Sequence, residues 1–347
     1  MKKLACDLPI LVLRYRQNGE TNKGCWMMKK KLFITRKFPA QFVEPLEEHY
    51  DIEQWEEEET VIPRAKLLAA VANCEVLWVT IADQVDEELL SHAPNLKLVT
   101  NLAVGFNNID VPALRKRGIM ATNTPGVLTN TTADLVFGLL LATARRIPES
   151  ERYLREGKWQ SWYPMQLVGK DVSGATIGII GMGRIGQAVA RRAKGFDMKV
   201  LYHNRRRRHE AEEMYGFCYA SLEELLTKSD FVVIMTPYNK DTVGLIGAKE
   251  LALMQEDAVL INASRGGIID ENALYDTLKN GKLWAAGLDV FEQEPVALDH
   301  PLLTLPNVVV LPHIGSASLK TRTAMLMLNV NALMAYGQGK PLSNRID

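Results

Sequence analysis

From Lys31 onward, short apolar runs alternate with stretches in which apolar residues recur every three or four positions. The runs KLFITR, DIEQW, EVLWVT, LKLVTNL and IMATN predict strands, and helices are predicted near Phe42 to Tyr50, Pro63 to Cys74 and Val85 to His92. A second series begins at Thr176, with TIGII, KVLYH, FVVIMT, AVLINA, AAGLDV and VVVLP as its strands. Strands that alternate with helices specify a parallel sheet covered on both faces. Two such series predict an α/β chain of two doubly wound parallel-sheet domains with an interdomain cleft.

Two longer helices bracket the second series. Thr131 to Arg146 is apolar nearly all round and opens with a threonine pair able to cap it, so it is expected to be buried where the domains meet. The closing helix is expected to start at a Ser316 cap, to carry Leu319, Leu326, Val330, Leu333 and Met334, and to stop at Gly337. Its methionines read as core filler.

Composition narrows the class. The 347 residues are 47% hydrophobic and 24% charged, and 41 basic residues balance 41 acidic ones. That describes a globular chain long enough for two cores, without the excess charge that nucleic acid binding calls for. The run EQWEEEE reads as a solvated surface. Cys6, Cys25, Cys74 and Cys218 are scattered, with neither zinc spacing nor a disulfide framework, so no metal is predicted and reduced thiols in cytoplasm are expected. The longest apolar run, LVFGLLLATA, is too short to span a bilayer, and no membrane association is expected. Asp7 and Pro9 interrupt the apolar start, which argues against a signal peptide. Residues 1–30 read as an N-terminal extension ahead of a fresh start at Met28.

The segment GATIGIIGMGRIGQAVARRAKGFDMKVLYHNRRRR reads as strand, glycine turn, helix and strand, the layout that binds a dinucleotide pyrophosphate. Gly181 permits the tight turn, Gly183 lets backbone approach phosphate, and Gly186 lets helix and strand pack closely, with Arg184 and Ile185 opening the helix. About 20 residues past the glycines, where an acid ordinarily holds the ribose hydroxyls, stands Asn204, followed by Arg205 and Arg206. An arginine can pair with a 2′-phosphate there, so NADP(H) is the expected preference and NAD(H) the second cofactor. Arg207 and Arg208 read as a solvated turn.

Three polar residues follow later strands: Arg265 in INASRGGIIDE, Glu294 in GLDVFEQEP and His313 in PHIGSAS. Together they supply a cation for a carboxylate and carbonyl, a proton donor near neutral pH and an acid to orient it, as carbonyl reduction requires. With NLAVGFNNID and GMGRIG in the same order, the chain resembles the D-2-hydroxyacid dehydrogenase family from about Met28 onward, and within it the glyoxylate/hydroxypyruvate reductases, also described as 2-ketogluconate reductases.

The resemblance implies that Arg265 binds a 2-keto acid, that His313 protonates its carbonyl oxygen and that Glu294 hydrogen-bonds His313. It implies that the Val104 and Gly105 amides grip the substrate carboxylate, that Asp289 and Gly315 lie near the nicotinamide, and that Thr236 and Ala263 border the cofactor. It further implies a flavodoxin-like substrate domain built from 31–127 plus 317–347, a Rossmann dinucleotide-binding domain over 128–316, and a homodimer formed mainly through the dinucleotide domain. Trp159 and Trp162 read equally as caps on a neighbour's pocket or as buried core aromatics. Alternatives are 3-phosphoglycerate dehydrogenase, which the arginines fit less well, and a non-enzymatic cofactor-sensing scaffold, against which the complete trio argues. Formate dehydrogenases lack the glutamate paired with the histidine.

Overall fold

The computed structural model describes residues 29–347, so the expected N-terminal extension, with Cys6 and Cys25, lies outside the described residues up to Met28. The first sheet is parallel and contains β1 (Lys30–Ile34), β2 (Tyr50–Gln54), β3 (Val76–Val79), β4 (Leu98–Asn101) and β5 (Met120–Thr122), in the order β2-β1-β3-β4-β5. The second contains β6 (Thr176–Ile180), β7 (Lys199–His203), β8 (Cys218–Tyr219), β9 (Phe231–Ile234), β10 (Val259–Asn262), β11 (Ala285–Leu288) and β12 (Val308–Val310). Its order is β12-β11-β10-β9-β6-β7-β8, again parallel throughout. Both sheets reverse their strand order beside the first strand of the series. Wound sheets open a ligand crevice at that point, beyond the carboxyl ends of the strands.

Burial follows from this architecture. Every residue of β3, β4, β9, β10 and β11 is buried, as expected for parallel strands covered on both faces. Exposure falls on edge strands: both residues of β8 and three of the five of β2 are exposed, and β12 is half-buried at Val308 and Val309. The chain passes from the first sheet to the second through the helix Thr129–Ala144, which packs on the helix Arg184–Lys194 and on β10, β11 and β12. It returns through the helix Leu319–Gly337, whose Val330 and Leu333 join Leu32, Ile34 and Trp78 in the core of the first sheet. The buried Tyr50 hydroxyl donates to the Leu333 carbonyl at 2.6 Å and ties that helix to β2. Among the described residues, no helix is long and apolar enough to cross a membrane.

Several helix ends differ from expectation for local reasons. The helix expected from Phe42 to Tyr50 is one short turn, Ala40–Val43, followed by a 3-10 turn, Glu44–Leu46, while Tyr50 begins β2. Pro45 lacks the N–H that would continue the helix. Thr131 and Thr132 do not cap their helix. It starts earlier, at Thr129, after Leu128 and without a side-chain cap, and the Thr131 hydroxyl instead meets that of Thr321 at 2.6 Å. The helix stops at Ala144, and Arg146 adopts a left-handed conformation, φ 53°. The closing helix is capped by Ser318, whose side chain accepts from the Thr321 N–H, rather than by Ser316. Replacing Tyr50 with phenylalanine removes the tie to the closing helix, and a loss of about 1 kcal/mol is expected in denaturant unfolding. An unchanged midpoint would show that apolar packing alone seats the helix.

Candidate active site

A cleft of about 720 Å³ is lined by segments that follow strands of both sheets. From the first sheet comes the turn after β4. The Val104 carbonyl accepts from Asn123 Nδ2 at 2.8 Å and the Gly105 carbonyl from Asn101 Nδ2 at 3.1 Å. Asn101 is fully buried, so these bonds hold the turn from beneath. Among the described residues, the N–H groups of Val104 and Gly105 have no acceptor in the protein. Two adjacent free amides on a cleft wall are donors of the kind that an anion can accept.

Arg265 faces this turn from the loop after β10. Asn262, the last residue of β10, accepts from the Ser264 N–H and hydroxyl, and its Nδ2 donates to the Arg265 carbonyl at 2.9 Å. The guanidinium donates from Nη1 to the Ser264 carbonyl at 2.6 Å and from Nε to Asn107 Oδ1 at 3.0 Å. The second bond reaches a residue that follows a strand of the first sheet. Burial pulls the guanidinium below the ordinary arginine range, and the nearby Glu294 carboxylate offsets part of that effect. An arginine stays charged even so.

The loops after β11 and β12 carry Glu294 and His313. One carboxylate oxygen of Glu294 accepts from the Phe291 N–H at 3.0 Å, and the other lies 2.6 Å from His313 Nδ1. Burial pushes the Glu294 carboxyl up. The hydrogen bond and charge of His313, the Phe291 amide and the Arg265 charge outweigh that push and leave it below the usual carboxylate range. With Nδ1 bonded, Nε2 is the ring nitrogen open to the cleft. His313 has φ 54°, a left-handed conformation that costs a non-glycine residue roughly 1–2 kcal/mol. The turn is held by the Ile314 N–H, which donates to Asp289 Oδ1 at 2.8 Å. Burial raises the Asp289 carboxyl, and its Oδ2 is buried without a partner.

The family model for D-isomer specific 2-hydroxyacid dehydrogenases, NAD binding domain, matches residues 137–315. A glyoxylate reductase of Korarchaeum cryptofilum is 47% identical over 323 residues, 92% of this chain and 96% of the relative. The chain belongs to the D-isomer specific 2-hydroxyacid dehydrogenase family. It is an oxidoreductase of that family. Among solved structures, a protein of Thermus thermophilus superposes with a TM-score of 0.85 at 40% identity, covering 91% of this chain and all of that one. An NADPH-dependent glyoxylate/hydroxypyruvate reductase of Sinorhizobium meliloti, solved with NADP and malonate, superposes with a TM-score of 0.80 at 34% identity, covering 92% and 97%.

The family's dinucleotide is accommodated by features of this chain. Gly181 has φ 107°, and a Cβ there would lie 2.6 Å from the Met235 backbone. A Cβ at Gly186 would collide with the Gly181 carbonyl, so both positions need glycine. Gly183 precedes the helix Arg184–Lys194, whose N-terminus has no side-chain cap, and the space at Gly183 is open. Uncapped amides at a helix N-terminus suit a pyrophosphate. Gly183, Arg184, Ile185, Thr236, Ala263, Asp289 and Gly315 line the same cleft as Val104, Gly105, Arg265, Glu294 and His313. The unpartnered Asp289 Oδ2 is an acceptor of the kind a carboxamide needs.

Asn204, Arg205 and Arg206 stand apart, after β7. Asn204 Oδ1 accepts from the Met182 N–H at 2.8 Å, bracing the glycine turn. Arg205 is paired with Asp241 at 2.7 Å, a carboxylate in the loop after β9, and Arg207 with Glu212 at 2.7 Å. Among the described residues, the Arg206 side chain has no hydrogen bond or ion pair and is exposed. Asn107, Tyr238 and Arg322 also line the cleft and carry no expectation from sequence. Asn107 lies inside the quoted NLAVGFNNID, where its spacing to Arg265 gave no signal. Tyr238 follows β9. Arg322 stands in the first turn of the closing helix; burial lowers it and Asp289 opposes the shift.

Gly181→Ala is expected to weaken nicotinamide dinucleotide binding about tenfold or more, since left-handed strain alone is worth roughly 1–3 kcal/mol. Fluorescence titration measures it. An unchanged Kd would mean that the turn does not set the phosphate site.

Proposed function

We propose that this chain reduces small 2-keto acids, glyoxylate and hydroxypyruvate among them, to D-2-hydroxy acids, with a preference for NADPH. The observation that carries the reading is the bond between Glu294 and His313, placed in one cleft with Arg265 and the free amides of Val104 and Gly105. The amides and the guanidinium take the substrate carboxylate, a charge-assisted set worth roughly 1.5–3 kcal/mol per good bond. Arg265 also polarises the carbonyl, and His313 Nε2 delivers a proton to its oxygen. When bound, the reduced dinucleotide supplies the hydride that completes the two-electron reduction. Glu294 keeps the proton on Nδ1, so Nε2 is the atom that loses its proton and regains one from solvent.

The relatives support the substrate class, since several bear the name glyoxylate reductase and one is described as NADPH-dependent. The NADPH preference rests on Asn204 and Arg206. Asn204 adds no negative charge beside a 2′-phosphate, and Arg206 is an exposed, uncommitted cation. Arg205 joins it only by exchanging Asp241, an exposed partner of the kind that contributes little. We also read the chain as a homodimer. Leu154, Trp159, Trp162 and Met165 expose an apolar row from the end of the helix Ile147–Arg155 onward, a surface that a second copy would cover.

Glyoxylate, hydroxypyruvate, 2-ketogluconate and 3-phosphohydroxypyruvate, each assayed with NADPH and NADH, test the reading; exclusive turnover of the phosphorylated acid would favour the 3-phosphoglycerate dehydrogenase alternative. His313→Gln is expected to lower kcat roughly 10²–10⁴-fold while the coenzyme still binds. Retention of most activity would remove His313 from the proton-transfer role. Arg206→Ala is expected to lower the NADPH to NADH ratio of kcat/KM about tenfold, as loss of one charge-assisted contact does. An unchanged ratio would contradict the assignment.

A further inference from the structure

A second carboxylate and histidine pair stands behind the first, outside the cleft lining. Glu271 is the first residue of the helix Glu271–Lys279, six positions after Arg265, and is the last residue of the segment INASRGGIIDE. One of its oxygens accepts from the backbone N–H of Glu292 at 2.6 Å, and the other lies 3.1 Å from His300 Nε2. Both side chains are largely buried, at 12% and 23% exposure, and the Phe291 ring meets that of His300 edge-on with centroids 6.0 Å apart. His300 Nδ1 is buried without a partner.

These contacts act on the loop that carries the cleft's acid. Phe291 and Glu292 offer consecutive amides: the first donates to Glu294 Oε1 and the second to Glu271. The backbone of Gly266, next to Arg265, abuts the Phe291 carbonyl so closely that no Cβ fits between them. Glu271 therefore fastens the loop bearing Glu294 to the segment bearing Arg265.

We propose that Glu271, held by His300, is a positioning residue that sets the Glu294 carboxylate against His313 and fixes its place relative to Arg265. The proposal rests on the reading above, in which the Glu294 and His313 couple delivers the proton. Burial raises the Glu271 carboxyl, and the titratable groups facing it are His300 and Glu292. Those facing Glu294 are His313, Arg265 and Asp289. Without Glu271, the Glu292 N–H loses its acceptor and the turn relaxes, so Glu294 no longer holds the imidazolium as firmly.

The test is the pH dependence of kcat in Glu271→Ala, Glu271→Asp and Glu271→Gln, with Glu294→Gln as the reference. The alkaline limb is expected to move to lower pH by about one unit, and kcat at pH 8 to fall about tenfold, in the alanine and aspartate variants. The aspartate keeps the charge but is one methylene too short, so it carries the test if the alanine variant does not fold. Glutamine retains an acceptor for the Glu292 N–H and is expected to restore most of the limb, while dinucleotide Kd stays within about threefold throughout. A limb that stays at the parent pH in both shortened variants, with or without a lower Tm, overturns the proposal. If Glu294→Gln itself leaves the limb in place, the proton-transfer reading fails instead.

Discussion

The bond between Glu294 and His313 depends on the register of two neighbouring strands. Leu288 of β11 pairs with Val310 of β12, so the loops that leave these strands emerge side by side, and residues 19 apart in sequence meet at 2.6 Å. The same adjacency lets Asp289 hold the Ile314 amide, which keeps His313 in a left-handed turn that its side chain would not choose alone. The bond settles which ring nitrogen faces the cleft, and the buried parallel sheet beneath makes that choice rigid. The depressed Glu294 carboxyl keeps the couple intact across neutral pH. Its contribution to stability is complete above the unfolded carboxylate value near 4.3 and is lost as pH falls through the lower folded value.

On the opposite wall, the chain arranges donors before any ligand arrives. Asn101 and Asn123 take the Gly105 and Val104 carbonyls, leaving the amides of the same residues free. Arg265 is tied at its backbone by Asn262 and at its side chain by Asn107, so its cation is fixed by both sheets at once. Preset donors need no reorganisation when negative charge arrives, and burial strengthens them by excluding water. The cleft thus combines two free amides, a fixed cation and an oriented imidazole beside an uncapped helix N-terminus.

The α/β architecture was legible in the alternation of apolar runs with helical periodicity, because parallel strands covered on both faces must be apolar along their whole length. The glycine turn was legible because Gly181 and Gly186 answer constraints that no side chain meets. Helix starts were not. Ser316 and Ser318 lie two residues apart in the same polar stretch, and only the reach of one hydroxyl to Thr321 distinguishes them. The partners of the arginines were equally hidden: Asp241 is 36 residues from Arg205, in a loop whose path the pattern does not encode. Glu271 stood at the end of a quoted motif, yet its bond to the Glu292 amide exists only through the meeting of two loops.

The central claim is that a 2-keto acid lies between the Val104 and Gly105 amides, Arg265 and the free nitrogen of His313. Its most direct test is a crystal structure with coenzyme and oxamate, an unreactive amide analogue of glyoxylate. The account predicts the oxamate carboxylate on those two amides and the Arg265 guanidinium, with its amide oxygen within hydrogen-bond distance of His313 Nε2. Oxamate bound elsewhere, or His313 turned from it with the Glu294 bond broken, would contradict the account.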